Sequence, residues 1–192
     1  MRVIAGTVGG IRLEVPKSGV RPTMDRVKAA IFSGLGDDIV GARILDLFAG
    51  TGAMGIEALS RGARSALFVE NDRAAVAAIE RNLSKTKLSG RIRKRDVFSF
   101  LSQPHTSERF DIIFADPPYE RTKDGKAFTA LLLSSPELAA MLLPSGTFVL
   151  EKQPSEPLTE TSWWRTVRAR AYGATEVLFL GRTELPFATV SE

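Results

Sequence analysis

One passage of this sequence restricts the fold more than any other. Arg43-Ile44-Leu45-Asp46-Leu47-Phe48 is an apolar run of strand length, and it passes through Ala49-Gly50-Thr51-Gly52 into a helical pattern carrying Ile56, Leu59 and Ser60. Strand, glycine turn and helix in that order open a parallel sheet, because parallel neighbours need a crossover that returns the chain to the same end. The rhythm then repeats. Ser65 to Glu70 reads as a second strand, Asn71 or Asp72 as the cap of a helix with Val76, Ile79 and Leu83 on one face, and Arg91 to Arg95 as a third strand. Val97 to Leu101 makes a helical turn, Phe110 to Ala115 a fourth strand, and Phe128 to Leu143 a helix interrupted around Ser134-Ser135-Pro136. Thr147 to Glu151 is a fifth strand, and residues 166–171 and 175–181 form a closing pair. Such alternation predicts an α/β domain whose largely parallel sheet is covered by helices on both faces.

Upstream, residues 1–16 alternate loosely and suit a short β-hairpin turning at Gly9-Gly10. Pro16, Gly19 and Pro22 punctuate the passage to a helix with Thr23 as its N-cap and Val27, Ile31 and Leu35 on one face. At 192 residues without one cysteine, the chain fits a single domain that needs no disulfides and has no thiolate for zinc or for nucleophilic attack. Its one histidine, His105, sits in the polar stretch Ser102 to Glu108, so neither a metal site nor a serine triad is expected. No apolar run reaches the ~18–20 residues of a membrane span, and the first residues lack the apolar core of a signal peptide. A cytoplasmic protein is expected.

The net charge of +4 is modest, but the basic residues are clustered. Lys85, Lys87, Arg91, Arg93, Lys94 and Arg95 lie together without an acid among them, and residues 1–28 hold Arg2, Arg12, Lys17, Arg21, Arg26 and Lys28 against Glu14 and Asp25. Clusters of this kind suit a polyanion, since neutralised phosphates release counterions. They equally suit a solvated face.

Four acids, Asp46, Glu70, Asp96 and Asp116, fall at or just past the carboxyl ends of predicted strands, where ligands of open α/β sheets bind. The loop Gly50-Thr51-Gly52-Ala53-Met54-Gly55 matches the dinucleotide pattern G-x-G-x-x-G literally, with Glu70 at a suitable distance beyond. A dinucleotide puts its pyrophosphate at this helix N-terminus. Here the lead-in is Asp46-Leu47-Phe48-Ala49, and a carboxylate aimed at pyrophosphate repels it. Aimed at the cationic amino-acid end of S-adenosylmethionine it attracts, and D-x-F-x-G-x-G resembles the first motif of class I methyltransferases. On that reading Asp46 faces the cofactor's amino-acid end, and Phe48, Ala49, Gly50, Thr51 and Gly52 bind the cofactor with it. Glu70, with Asn71, takes the ribose hydroxyls, and Asp96 with Val97 the adenine. The plainer alternatives are a cap on the glycine loop for Asp46, an ion pair with Arg73 for Glu70, and a helix N-cap for Asp96.

Asp116-Pro117-Pro118-Tyr119 follows the fourth strand. Two prolines fix two φ angles and bias the residue before them to extended backbone, so the loop is a stiff corner. The exocyclic amine of a base is a poor nucleophile because its lone pair is delocalised into the ring. A carboxylate and a backbone carbonyl that accept its two hydrogens pull the nitrogen towards tetrahedral geometry, and the carboxylate stabilises the positive charge that develops. Tyr119 offers a flat face to an unstacked base.

These motifs, together with Arg2-Val3-Ile4-Ala5-Gly6, Arg21-Pro22-Thr23-Met24-Asp25-Arg26-Val27 and Gly55-Ile56-Glu57-Ala58-Leu59-Ser60-Arg61-Gly62-Ala63, resemble the bacterial 16S rRNA guanine-N2 methyltransferases of the RsmD family over nearly all of residues 1–182. The resemblance implies a Rossmann-like class I methyltransferase fold with a seven-stranded sheet. It implies an RNA-contacting hairpin extension over 1–22, a methyltransferase domain over 23–182 and a tail over 183–192. It also implies 16S rRNA, within the 30S subunit or an assembly intermediate, as the substrate, with Arg12, Arg21, Thr23 and Arg26 near the RNA; a monomer is expected. The chain departs from the family at Tyr172-Gly173-Ala174-Thr175, where an acid usually follows Tyr-Gly, and over Gln153 to Trp164. Two other functions stay open at this stage: adenine-N6 methylation of DNA or RNA, and an RNA-binding assembly protein that keeps a relic cofactor site.

Overall fold

The computed structural model describes residues 1–16, 25–103, 108–119, 127–158 and 161–183. Thr23, Arg21 and His105 fall outside the described residues. Seven strands form one sheet in the order β3-β2-β1-β4-β5-β7-β6. β1 (Arg43–Leu47), β2 (Ser65–Glu70), β3 (Arg91–Lys94), β4 (Phe110–Ala115) and β5 (Leu142–Lys152) pair in parallel. β7 (Thr175–Arg182) runs antiparallel to both β5 and the edge strand β6 (Trp164–Tyr172).

The parallel strands read clearly in sequence because both their faces are buried. In β4, Ile112 and Phe114 pack on one side of the sheet, Ile113 and Ala115 on the other. The first side is covered by α1 (Asp25–Leu35), α2 (Ala53–Ser60) and α3 (Arg73–Thr86). The second is covered by α4 (Val97–Leu101), α5 (Phe128–Leu133) and α6 (Pro136–Met141). Strand order reverses between β1 and β4, so their carboxyl ends part there and leave the crevice typical of such sheets.

Several expectations are displaced. The buried face of α3 is Ala75, Ala78, Ile79, Asn82, Leu83 and Thr86, with Val76 only partly covered. Asn82 turns the helix: its amide donates to the carbonyls of Glu14 and Thr51 at 3.0 Å each and accepts the Glu14 N–H at 2.7 Å. The Phe128 to Leu143 helix ends at Met141, and the fifth strand begins at Leu142, five residues before the expected Thr147. Residues 1–16 make only one antiparallel bridge, Arg2 to Arg12, with the Val3 N–H donating to the Ile11 carbonyl at 2.9 Å.

The reason lies beneath that segment. The fully buried Glu57 carboxylate accepts the N–H groups of Ile4 (2.7 Å) and Ala5 (3.0 Å), and ion-pairs with Lys28 (3.0 Å) and Arg61 (2.8 Å). Backbone donors that a second strand would have taken are thus taken by a side chain. Lys28 also donates to the Arg2 carbonyl. Val3 and Leu13 join the same apolar cluster as Ile44 and Phe68.

Candidate active site

The glycine loop curls because three of its residues have left-handed backbone: Phe48 (φ 54), Gly50 (φ 55) and Gly52 (φ 76). Phe48 pays about 1–2 kcal/mol for a conformation that crowds its Cβ. Its ring packs edge-on to Phe98 (6.2 Å) and Phe128 (6.1 Å), which hold it there. Gly55 answers a different need. A Cβ there would lie 2.3 Å from the Phe68 ring, so α2 approaches β2 more closely than any other residue allows.

The loop borders a cavity of about 430 Å³ at the carboxyl ends of β1, β2 and β4, within the size range of small-ligand pockets. Its wall includes Asp46, Phe48, Ala49, Gly50, Thr51, Glu70, Asn71, Asp96 and the whole of Asp116-Pro117-Pro118-Tyr119. Gly52 and Val97 are not in the wall; Gly52 precedes α2 and Val97 is buried in the core. Met1, Asp72 and Phe128 line the cavity as well, and sequence reasoning missed all three. Only Phe128, an aromatic opening a helix beyond the Pro-Pro loop, carried a local signal. Five acidic side chains line this space and, among the described residues, no lysine or arginine does. Among the described residues no side chain there would pair with a pyrophosphate, whereas a cation meets several acids.

Four of the five acids also have a structural task. Glu70 Oε1 accepts the N–H groups of Asn71 and Asp72 and Oε2 that of Gly50, all at 2.8 Å, and no ion pair forms with Arg73. Three of about four acceptor positions on that carboxylate are therefore used. Asp96 caps α4, its Oδ1 accepting the Ser99 N–H at 2.8 Å, and Asp72 caps α3 through the Ala75 N–H. Asp46 Oδ2 accepts the Gly55 N–H at 2.9 Å. Burial pushes the Asp46 carboxyl up to about 8, the Gly55 N–H opposes this, and the charges of Glu70 and Asp116 add to it.

That shift has a consequence for folding. The unfolded chain releases the Asp46 proton near the usual carboxylate pKa, whereas the folded chain keeps it to about pH 8. The native state binds the extra proton, so stability falls as pH rises across this interval. Melting temperatures from pH 5 to 8.5 should decline more steeply in the native protein than in Asp46→Asn, whose amide oxygen still accepts from Gly55. Parallel curves would remove the buried proton from the account.

Tyr119, at the end of the Pro-Pro loop, shares a 2.9 Å hydrogen bond between its hydroxyl and that of Thr175 on β7. Tyr172-Gly173-Ala174-Thr175, far from the loop in sequence, is therefore its neighbour. The other unfamiliar stretch is anchored too: Glu156 receives the Thr129 hydroxyl of α5, and buried Lys152 donates to the Glu156 carbonyl at 2.6 Å. Arg12 lines a second cavity with Met1, Arg2, Leu13 and Asp25, and Arg26 is exposed on α1.

Residues 1–181 match the family described as conserved hypothetical protein 95. Ribosomal RNA small subunit methyltransferase D of Haemophilus influenzae is 33% identical over 177 residues, 90% of this chain and 89% of the relative. The chain belongs to this family. The enzyme of the same description from Escherichia coli is 44% identical over 123 residues, 63% of this chain and 61% of that one. Among solved structures, the Escherichia coli protein yhhF superposes with a TM-score of 0.79 at 33% identity, covering 95% of this chain and 98% of its own. The Thermus thermophilus 16S rRNA N2 methyltransferase RsmC, solved with AdoMet and guanosine, gives 0.65 at 28% identity, covering 88% of this chain and 44% of its own. The Rossmann-like class I methyltransferase fold follows from these likenesses as well as from the strand order. No helix among the described residues is long and apolar enough to cross a membrane.

Proposed function

We propose that this chain transfers a methyl group from S-adenosylmethionine to the exocyclic N2 amine of a guanine in 16S rRNA, acting in the cytoplasm as a monomer without a metal. One observation supports this above the rest: a single cavity, lined by acids and by no basic side chain among the described residues, has the glycine loop on one side and Asp116-Pro117-Pro118-Tyr119 on the other.

S-adenosylmethionine supplies an electrophilic sulfonium methyl. Asp46 and the curled Phe48–Gly52 backbone receive the cationic amino-acid end, and the approach of that charge favours loss of the Asp46 proton. The remaining acceptor capacity of Glu70 Oε2 suits a ribose hydroxyl, with Asn71 beside it, and the Asp96 oxygen outside the α4 cap suits the adenine amino group. Asp116 and the Pro117 carbonyl accept the two hydrogens of the target amine. Asp116 would then stabilise the positive charge growing on nitrogen as the methyl–sulfur bond breaks and the thioether product leaves, and the surplus amine proton would pass by way of Asp116 to solvent. Pro118 keeps the corner rigid, and Tyr119, held by Thr175, lies against the base. Residues 1–22 serve as the RNA-contacting extension, 23–182 form the catalytic domain and 183–192 a tail, with Arg12, Arg21, Thr23 and Arg26 near the RNA. The substrate is the 30S subunit or an assembly intermediate.

Incubation of the protein with labelled S-adenosylmethionine and unmodified small subunits should give N2-methylguanosine after digestion. Label in N6-methyladenosine would transfer the reading to adenine. Absence of transfer to any RNA or DNA would leave an RNA-binding protein.

A further inference from the structure

The edge strand β6 is exposed over residues 165–171 and carries arginines at 165, 168 and 170. In a regular strand that spacing puts Arg165 on the opposite face from the other two, because side chains alternate. The register here skips a residue: Thr166 pairs with Leu180 and Arg168 with Phe179, which leaves Val167 as a bulge, 57% exposed. The bulge resets the alternation. Arg165, Arg168, Arg170 and Tyr172 oppose Gly181, Phe179, Val177 and Thr175, successive residues of one face of β7. Three arginines therefore stand in a row on one side of the sheet, about 6.8 Å apart where the strand is regular.

Two of the three guanidiniums are also held in place. The Arg168 guanidinium lies 5.2 Å from the centre of the Phe179 ring and donates to the Gly34 carbonyl at 3.3 Å. A Cβ on Gly181 would come within 3.3 Å of the Arg165 guanidinium, so the glycine leaves the space that this group uses. No ion pair among the described residues involves Arg165, Arg168 or Arg170, although Asp37 and Asp38 follow Gly34 closely in the chain. Among the described residues the charge is thus not ion-paired. The row ends at Tyr172, whose partner Thr175 holds the Tyr119 hydroxyl of the Pro-Pro loop.

Charge on an edge strand protects against edge-to-edge association. That purpose requires neither alignment on one face nor guanidiniums fixed against Phe179 and Gly181. We propose that Arg165, Arg168 and Arg170 form a phosphate-binding track that carries one strand of the substrate RNA towards the Asp116–Tyr119 loop. The inference rests on the RNA-methylating function proposed above. Each guanidinium suits a phosphate, with several N–H donors in a planar fork.

The test is the double variant Arg165→Gln/Arg170→Gln, which leaves the Arg168–Phe179 packing intact. Arg64→Gln, at the opposite end of the sheet, is the control. With unmodified small subunits as substrate, KM should rise on the order of tenfold, with kcat and the Kd for S-adenosylmethionine unchanged. For binding to a 16S rRNA transcript, the slope of log K against log salt should become shallower by about 1.5, since each phosphate contact contributes roughly 0.7–0.9. The Arg64→Gln control should match the native protein, and Lys at 165 and 170 should restore most of the salt slope. If the native protein methylates RNA and the double variant keeps its KM and salt slope, the track is wrong and the function stands. A loss confined to kcat would also overturn it, because it would mean a displaced reaction loop. A native protein that methylates no RNA would remove the function and the track together.

Discussion

Asp116→Ala should lower kcat by about a thousandfold or more while the Kd for S-adenosylmethionine stays within a few-fold of the native value. Removing one preorganised group that stabilises transition-state charge typically costs 10²–10³ in rate. Asp116 is proposed to do two things at once, accepting an amine hydrogen and opposing the charge that grows on nitrogen. Asp116→Asn keeps an acceptor oxygen and loses the charge, so its activity should fall between the two. Cofactor affinity should be spared because the glycine loop, Glu70 and Asp96 belong to other strands' ends. The charge of Asp116 also raises the Asp46 pKa, so either substitution should shift the Asp46 titration downwards. Single-turnover rates with saturating cofactor, beside calorimetric binding, separate these effects. Loss of cofactor binding in Asp116→Ala would mean that the loop belongs to the cofactor site instead.

The second large effect concerns stability. Lys28→Ala should destabilise the protein by about 3 kcal/mol, because cutting one partner from a buried pair leaves the other charge without compensation. For a domain of this size, that corresponds to a fall of about 6–12 °C in Tm. Arg61 still faces Glu57, and the Ile4 and Ala5 N–H groups still donate to it, which keeps the loss at the lower end of the range. The N-terminal segment loses the bond from Lys28 to the Arg2 carbonyl at the same time. Amide exchange at Ile4 and Ala5 should therefore accelerate more than exchange in β1 or β4. A Tm within 2 °C of native, by the same scale of about 2–4 °C per kcal/mol, would show that the network is not needed for folding.

The two predictions sit on opposite sides of what the sequence makes legible. Asp116 is visible because two prolines after an apolar strand have no common explanation except a rigid corner. The Glu57–Lys28 pair is hidden. Lys28 stands among basic residues that look solvated, and Glu57 stands in a helix too short to display a clear face. A weaker signal was present, since Glu57 is the one charge in Ala53–Ser60, Ala-Met-Gly-Ile-Glu-Ala-Leu-Ser. A charge in so apolar a helix needs a partner, but nothing local says which.

Local chemistry alone determined the strands β1, β2 and β4 almost to the residue, the glycine turn after β1, the caps of α3 and α4, and the rigid loop after β4. Burial on both faces, backbone that only glycine tolerates easily and fixed proline φ angles act within a few residues. Tertiary structure alone decided the rest. It brought Thr175 to Tyr119 and Asn82 to Thr51, laid residues 1–16 on Glu57, and aligned Arg165 with Arg168 and Arg170 through a bulge. Each of these depends on a register or a contact between distant segments, where the energy lies in pairing and burial that no single stretch of chain contains.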